Sequence, residues 1–271
     1  MEVEMDWVVM DMYEKELLVY PVMCKSQPFQ RYYGGLTESF EDLLTESLLK
    51  LLASPELDEL QSSMLALQQL ESEKLTPISL RSATLQGKAE PANLVHAQAT
   101  LILGERHGSA CFISSDGHLL TTYGLIDTDS TVDIKCSNGA LLKARVLRAD
   151  PISNVALLQA DTIGVMHVRP SSNSSYKPGE DVISISSPFD PQLSQSYSKG
   201  IISAVRNDDS LKFYQTDVRV STGANGAPLL DTNGDIIGII NEKFIGTGIE
   251  GLSFAVSIHD IFERLKISYQ P

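Results

Sequence analysis

Short apolar segments separated by tight-turn signals fill the sequence from residue 94 onward, and this pattern restricts the fold more than any other feature. The segments are VHAQATLIL, SACFIS, HLLTTYGLI, TVDIKC, ALLKARVL, NVALLQA, DVISISS, KGIISAV, KFYQTD and DIIGIIN. Asp116-Gly117, Asn138-Gly139 and Asn233-Gly234 indicate hairpin turns, because both central positions of such turns need a positive φ. Many short strands without intervening helices predict a mostly β fold of the sandwich or barrel type.

The first part of the chain has a different pattern. DWVVMDMY and LLVYPVMC flank a polar turn and predict a β-hairpin. TESFEDLLTESLLKLLA then places apolar side chains at helical spacing, and Ser54-Pro55 ends this helix and begins another. We therefore expect a small α+β module at residues 1–75, a linker at 76–93 and a β-rich domain at 94–271.

Composition and charge limit the partners of the chain. Its 35 acidic side chains exceed its 21 basic ones, which gives a net charge of −14. Such an excess disfavours binding to nucleic acid or to an anionic membrane. No apolar run approaches the roughly 18 residues of a membrane span, and the acidic start MEVEMDWVVM does not have the form of an export signal. We expect a soluble protein that has no membrane span and does not bind nucleic acid.

The sequence contains no pattern typical of a metal or cofactor site. Cys24, Cys111 and Cys136 are odd in number and lack metal-ligand spacing, so neither a disulfide framework nor a zinc site is predicted. Asp231 and Asp235 lie at a turn and are expected to be solvated rather than to bind calcium. We expect no metal and no cofactor.

Four longer segments carry a family resemblance. They are GSACFISSDGHLLTTYGLI, ADPISNVALLQA, FYQTDVRVSTGANGAPLLDTNGDIIGII and GLSFAVSIHDIFERL. In order and spacing they resemble the protease domain of the HtrA/DegP family over roughly residues 95–267. The resemblance implies a trypsin-like double β-barrel. It also favours an extracytoplasmic location, in the periplasm or outside the cell, although the chain shows no signal peptide.

The resemblance assigns the catalytic triad of that family to three positions that lack the reactive groups. The histidine position is Gly124 in TTYGLI, the acid position is Asn154 in DPISNVALL, and the nucleophile position is Asn225 in GANGAPL. Acyl transfer needs a hydroxyl nucleophile, a base within hydrogen-bond reach and a carboxylate that orients the charged base. The resemblance therefore implies a pseudoprotease that has none of the family's catalytic residues.

Two glycines flank the nucleophile position and suggest that its backbone bend is kept. Gly223 and Gly226 lie on either side of Asn225. Backbone N–H groups at such a bend bind a carbonyl or carboxylate oxygen. The alternative is that these glycines serve only the geometry of the barrel. We expect a ligand, a peptide or a protein, to bind at these three residues.

The resemblance also implies a peptide-binding edge. Peptides of the family's substrates pair with the segment that follows the nucleophile hairpin, which here contains Asn241, Glu242 and Lys243. The charges of Glu242 and Lys243 would equally well protect an edge that binds nothing. Both interpretations stay open from the sequence.

Two other functions compete with a binding protein. The first is an active serine hydrolase that uses residues outside the family motifs. Its base would come from the remaining histidines, each of which we expect to be a surface or packed side chain: His96, His107, His118, His167 and His259. The second is a structural subunit. Leu57, Leu60, Met64 and Leu67 recur at steps of three and four. With only two heptads, this seam is expected to pack on the chain's own body; the alternative is a partner helix, through which the N-terminal helices would form a homo-oligomer.

Overall fold

The computed structural model describes most of the chain in two compact units. The described residues are 2–10, 16–25, 35–73, 75–81, 91–104, 106–126, 130–187, 195–208, 211–219, 223–241 and 253–270. The units are Met1–Lys74 and Leu75–Pro271. Across this described part of the chain, no helix combines the length and the apolar character that a membrane crossing requires.

The first unit consists of a β-hairpin and two helices. Its elements are β1 (Glu2–Met10), β2 (Glu16–Lys25), α1 (Gly35–Leu52) and α2 (Pro55–Glu73). β1 and β2 pair antiparallel, so Trp7 lies opposite Tyr20. Both rings pack against a small core of Val22, Cys24 and Leu43, which joins the hairpin to α1. The hairpin and both helices agree with the sequence prediction.

The start of α2 shows how the sequence sets a helix boundary. The Oγ of Ser54 accepts a hydrogen bond from the Leu57 N–H at 3.3 Å and so caps the helix. Leu57 is buried, whereas Met64 is 48% exposed. The first residue of the predicted seam is therefore buried and its third residue is exposed. The side chain of Leu67 lies outside the described residues.

The second unit begins with β3 (Ile78–Arg81), α3 (Pro91–Leu94) and a 3₁₀ turn, and then forms a first closed barrel. The barrel strands are β4 (Gln98–Leu103), β5 (Arg106–Phe112), β6 (His118–Thr122), β7 (Thr131–Cys136), β8 (Leu141–Asp150) and β9 (Val155–Ala160). Their order around the barrel is β4-β5-β6-β9-β8-β7, with β7 pairing back to β4. A short helix, α4 (Tyr123–Ile126), follows β6 directly.

A second closed barrel follows. Its strands are β10 (Asp181–Ser186), β11 (Ser196–Asp208), β12 (Leu211–Thr216), β13 (Pro228–Leu230), β14 (Ile236–Ile240) and β15 (Ser253–Ser257). Their order is β10-β11-β12-β15-β14-β13, and β13 pairs back to β10. The predicted mostly β, double-barrel fold with an N-terminal α+β module is confirmed.

The chain ends with α5 (Ile258–Arg264) and β16 (Ile267–Gln270). β16 pairs in parallel with β3, so that Ile267 lies opposite Ile78. The linker expected at residues 76–93 is therefore wrong in part, because residues 78–81 are a strand of the second unit. This four-residue strand is too short to show a period, and its partner lies at the other end of the sequence.

Apolar side chains of the barrel strands face two different layers. Phe112 and Leu119 point into the first barrel, whereas their neighbours Cys111 and Leu120 join the core between the barrels. The second barrel has its own interior cluster. Since successive side chains of a strand point to opposite faces, the burial of all five residues of β6 means that both faces of this strand are buried.

Candidate functional site

The structure brings into direct contact two of the three positions that the resemblance assigns to the triad. Gly124 lies in α4, and its N–H donates to the Oδ1 of Asn154 at 2.8 Å. The Tyr123 N–H donates to the Asn154 carbonyl oxygen at 3.0 Å. Asn154 lies between β8 and β9 with a φ of 52°, in the left-handed region that asparagine adopts more readily than most residues. Backbone conformation and hydrogen bonding therefore both suit asparagine at this position.

A chain of buried amides continues from Asn154 to the second barrel. The Nδ2 of Asn154 donates to the Oδ1 of Asn241 at 2.7 Å, and the Nδ2 of Asn241 donates to the Ser153 carbonyl oxygen at 2.9 Å. Asn154 is 8% exposed and Asn241 is fully buried. Each donor meets an acceptor, so these contacts hold the β8–β9 turn against the end of β14 without any net charge.

The position of Asn241 corrects its predicted role. Its backbone N–H donates to the Phe254 carbonyl oxygen in β15 at 2.9 Å, and its side chain is buried between Asn154 and Ser153. Its side chain therefore cannot reach a ligand at the surface, and its N–H is used within the barrel. Glu242 and Lys243, the other residues of the predicted edge, lie outside the described residues.

The residues around the nucleophile position form a tight turn. The Ala227 N–H donates to the Ala224 carbonyl oxygen at 2.9 Å, and Gly226 has a φ of 84°. These values identify a type II turn with Asn225 at its second position and glycine at the third, where the positive φ is required. Gly223, just before the turn, also has a positive φ, of 98°. The predicted bend is therefore present.

Ser109 of β5 holds this turn from the first barrel. Its N–H donates to the Asn225 carbonyl oxygen and its Oγ to the Gly223 carbonyl oxygen, both at 2.8 Å. A Cβ on Gly226 would lie 2.1 Å from the Ser109 carbonyl oxygen, so only glycine fits there. The two glycines thus permit a close approach between the barrels. Ser109 was not among the predicted site residues, although it lies in the segment GSACFIS.

His107 lies beside the same turn. A Cβ on Gly223 would lie 2.8 Å from the His107 Nε2 and 2.6 Å from the Ser187 carbonyl oxygen, so the edge of the imidazole is packed against Gly223. His107 is half-buried and is two residues before Ser109 in β5. The sequence analysis expected a surface or packed histidine at this position and did not predict that it lies near Gly223. Successive side chains of a strand alternate between its two faces, so His107 and Ser109 share one face. This period could have predicted that His107 lies near the turn.

These contacts connect the predicted site residues in two groups. Gly124 and Asn154 form one group with Asn241, while Gly223, Asn225 and Gly226 form the other with Ser109. The groups meet at β14, because the Gly226 N–H donates at 3.0 Å to the carbonyl oxygen of Ile240, the residue before Asn241.

A serine, an aspartate and a histidine also meet in the turn between β5 and β6. The His118 Nδ1 lies 2.9 Å from the Asp116 Oδ1 and 3.0 Å from the Ser114 Oγ, which also accepts the His118 N–H. A catalytic relay needs the acid and the nucleophile on different ring nitrogens, whereas here both face the same one. The three side chains therefore close a turn and do not form a triad.

The remaining histidines have structural neighbours. The His96 Nδ1 lies 3.0 Å from the Ser137 Oγ, and the His259 Nε2 lies 3.3 Å from a backbone carbonyl oxygen. His167 is buried, and burial lowers its pKa despite a contact with the Val165 carbonyl oxygen. Among the described residues, no group of three or more metal-binding side chains is arranged to hold an ion.

A buried ion pair supports the turn that carries Asn154. Arg264 of α5 forms two hydrogen bonds with the carboxylate of Asp150, and the Ser153 N–H and Oγ donate to the same carboxylate at 3.0 and 2.6 Å. Burial alone would raise the pKa of Asp150, but the bonds from Arg264 and Ser153 outweigh it and lower this pKa. The ion pair thus fixes the turn that places Asn154.

Replacement of Asn154 by alanine tests the amide chain. We expect Asn154→Ala to lower the free energy of unfolding by about 2–4 kcal/mol, because it leaves the buried Oδ1 of Asn241 and the Gly124 N–H without a partner and because alanine disfavours the left-handed φ. Asn138→Ala is the control, since this exposed turn residue makes one local bond and should change stability by less than about 1 kcal/mol. Equal effects in urea denaturation would contradict a structural role for the amide chain.

Comparison with known families agrees with this geometry. Residues 108–239 match the family model of the trypsin-like peptidase domain. Among curated proteins, a probable periplasmic DegP-like serine endoprotease of Pseudomonas putida strain W619 is 36% identical over 167 residues, which cover 59% of this chain and 34% of that protein. A DegP-like endoprotease of Halomonas elongata is 33% identical over 167 residues, covering 59% and 35%. The chain spans about a third of the length of these relatives.

Solved structures are similar over the double barrel. The serine endoprotease from Yersinia pestis is 25% identical, covers 65% of this chain and 64% of its own, and superposes with a TM-score of 0.57. The HtrA-type protease AlgW with a tripeptide is 26% identical, with coverage of 62% and 58% and a TM-score of 0.55. Both share the double barrel with the second unit of this chain.

Proposed function

We propose that this chain, whose second unit is a trypsin-like peptidase domain of the HtrA/DegP type, is a catalytically inactive relative that binds a peptide or protein. The observation that supports this most is the contact at the first two triad positions. Asn154 accepts a hydrogen bond from the Gly124 backbone and donates to Asn241. The side chain at the acid position is thus engaged in structural contacts and carries no charge.

The chemistry of the three side chains explains the proposed inactivity. Glycine at position 124 has no group that accepts a proton, and the amide of Asn225 is not a useful nucleophile. The neutral Asn154 would not stabilise a protonated base. Loss of a triad as a unit costs about a million-fold in rate, so proteolysis by the family mechanism should be absent.

The turn at Asn225 is the proposed binding surface. Its bend is held by Ser109 through two hydrogen bonds, so its backbone is ordered before a ligand arrives, which lowers the entropic cost of binding. One structural neighbour holds a tripeptide, and we extend that ligand class to this chain. No cofactor is part of the proposal.

The proposal also covers the cellular location and the oligomeric state of the chain. The curated relatives are named periplasmic, and we place this chain outside the cytoplasm on that ground. Homo-oligomerisation through the N-terminal helices stays a prediction. The exposed apolar side chains of α1 are available for such a contact: Leu44, Leu48, Leu49 and Leu52.

Two measurements on the purified chain test this proposal. A fluorophosphonate probe, which reacts with activated serines, should leave the chain unlabelled under conditions that label an active HtrA-type protease. A fluorescent pool of random octapeptides should bind, as measured by anisotropy. Labelling of the chain would refute inactivity and favour a hydrolase with other catalytic residues. Absence of peptide binding would refute the binding role.

A further inference from the structure

We infer that the connector between the two barrels is an acid-sensitive latch, in which protonation of the buried His167 releases the connector from the first barrel. The connector comprises residues 161–180 and joins β9 to β10. Such a latch requires neither peptide binding nor catalytic inactivity, so it stands apart from the proposed function.

Two backbone hydrogen bonds hold the connector against the first barrel. The Gly164 N–H donates to the Ser115 carbonyl oxygen at 2.7 Å, and the Val168 N–H donates to the Phe112 carbonyl oxygen at 2.9 Å. Phe112 is the last residue of β5, and Ser115 lies in the turn between β5 and β6. Opening of these two bonds would free the segment 164–168 from this turn without unfolding either barrel.

The next residues of the connector are bonded to the second barrel. The Ile236 N–H of β14 donates to the Arg169 carbonyl oxygen at 2.7 Å, and the Ser171 N–H donates to the Ile236 carbonyl oxygen at 2.9 Å. His167 comes one residue before the last bond to the first barrel and two residues before the first bond to the second. A change at its ring therefore acts where the connector passes from one barrel to the other.

The imidazole of His167 is buried and hydrogen-bonded on one side. The residue is 2% exposed, and its Nδ1 lies 3.2 Å from the Val165 carbonyl oxygen. Because a carbonyl oxygen only accepts, Nδ1 carries the proton of the neutral ring. Nε2 is buried and has no hydrogen-bond partner among the described residues. Protonation would put a second N–H and a positive charge there, which costs free energy in a buried site.

The charges around the ring do not remove this cost. Burial lowers the pKa of His167 and outweighs the Val165 carbonyl oxygen and Asp116, which both raise it, while Arg169 lowers it further. Asp116, in the turn between β5 and β6, is held by His118, whose Nδ1 lies 2.9 Å from its Oδ1. The closed connector therefore favours the neutral ring.

The sign of the pH dependence follows from the lowered pKa. An unfolded or water-exposed histidine has a pKa of about 6.5, so the open connector takes up a proton at a higher pH than the closed one. The closed form is fully favoured above this value and loses stability as the pH falls toward the folded pKa. From pH 7.5 to 5.5 the open population should rise by up to about tenfold, the limit for a closed form that binds no proton.

Hydrogen exchange at the Gly164 and Val168 amides measures the opening. Their protection factors, from which the intrinsic pH dependence of exchange is removed, should fall by up to about tenfold from pH 7.5 to 5.5. His167→Phe, which keeps an aromatic ring that does not titrate, should lose most of this fall. His96→Phe, which changes an exposed histidine, should behave as the wild-type chain.

Three results would overturn the latch. The first is an equal fall in the wild-type chain and His167→Phe. The second is protection at Gly164 and Val168 as high as at the Ile240 N–H, which is bonded within the second barrel, because the opening would then be global. The third comes from a ¹³C-histidine NMR titration, which needs no variant that folds. The assigned His167 ring should be mostly neutral at pH 6, where a histidine of pKa about 6.5 is mostly protonated, and a mostly protonated ring in the folded chain would refute the proposal.

Discussion

The triple variant Gly124→His, Asn154→Asp, Asn225→Ser is expected to cleave unfolded casein and to react with a fluorophosphonate, whereas the wild-type chain does neither. This prediction rests on the proposed function, in which the backbone around positions 124, 154 and 225 is that of an active relative. The turn at position 225 has the required bend, and Asn154 already contacts residue 124. Supplying the nucleophile, base and acid together should therefore restore the mechanism.

Local geometry permits the replacements at positions 124 and 225. A Cβ on Gly124 would lie 3.3 Å from the Asn154 Oδ1, which a small movement of that side chain accommodates. Aspartate at position 154 keeps the oxygen that accepts the Gly124 N–H but loses the Nδ2 that donates to the Asn241 Oδ1, so the melting curve of the triple variant is measured beside its activity. Serine at the second position of a type II turn is sterically unproblematic.

The three catalytic groups act as a unit, which determines both the expected rate of the triple variant and the choice of control variants. We expect the triple variant to exceed the wild-type rate by at least about a thousandfold, a fraction of the million-fold that a complete triad contributes. Each single variant should stay inactive, and so should the version with alanine at position 225. Casein cleavage by the wild-type chain would refute its proposed inactivity. An inactive triple variant with a normal melting curve would show that the site is not a preserved scaffold.

Removal of Arg264 is expected to have the largest effect on stability. Arg264→Met keeps much of the side-chain volume but leaves the Asp150 carboxylate buried without its cation. The two side chains are 21% and 8% exposed, and breaking such a buried pair costs about 3–5 kcal/mol. Urea denaturation measures this loss. Lys143→Met, which breaks the exposed pair with Asp133, should cost less than about 1 kcal/mol.

The ion pair also predicts a pH dependence. The pKa of Asp150 is lowered in the folded chain, so the stability that its ionised form contributes is present above the unfolded pKa of about 3.9 and is lost as the pH falls through the folded pKa. Asp150→Asn does not titrate. The stability difference between wild type and Asp150→Asn should therefore shrink as the pH is lowered from 7 to 3. A constant difference would contradict the assigned ion pair.

Much of the fold was predictable because it depends on local patterns. The hairpin turns at Asp116-Gly117 and Asn233-Gly234 lie between paired strands, as the sequence indicates. β13 and β15, which complete the second barrel, were not in the predicted set of strands. β13 has only three residues and begins with Pro228, so it has no readable period and is recognised only through its pairing with β10 and β14.

The candidate site was predictable in part. Glycine is the residue that most readily adopts a positive φ, so Gly223 and Gly226 predict a bend between them. Both have a positive φ in the structure. Asn241 was expected at the surface because its position in the segment resembles a peptide-binding edge, but it is fully buried. Burial depends on how two barrels approach each other, and nothing in the local sequence records that distance.

By itself, the sequence determined the two-part organisation, the β-rich character of the second part and the identity of the groups at positions 124, 154 and 225. These properties follow from side-chain chemistry and from periods of two to four residues. Only the tertiary structure decided that Asn154 and Asn241 share a hydrogen bond and that His107 lies against Gly223. Those partners are 87 and 116 residues apart in the chain, and contacts at such separation arise only when the barrels close and pack.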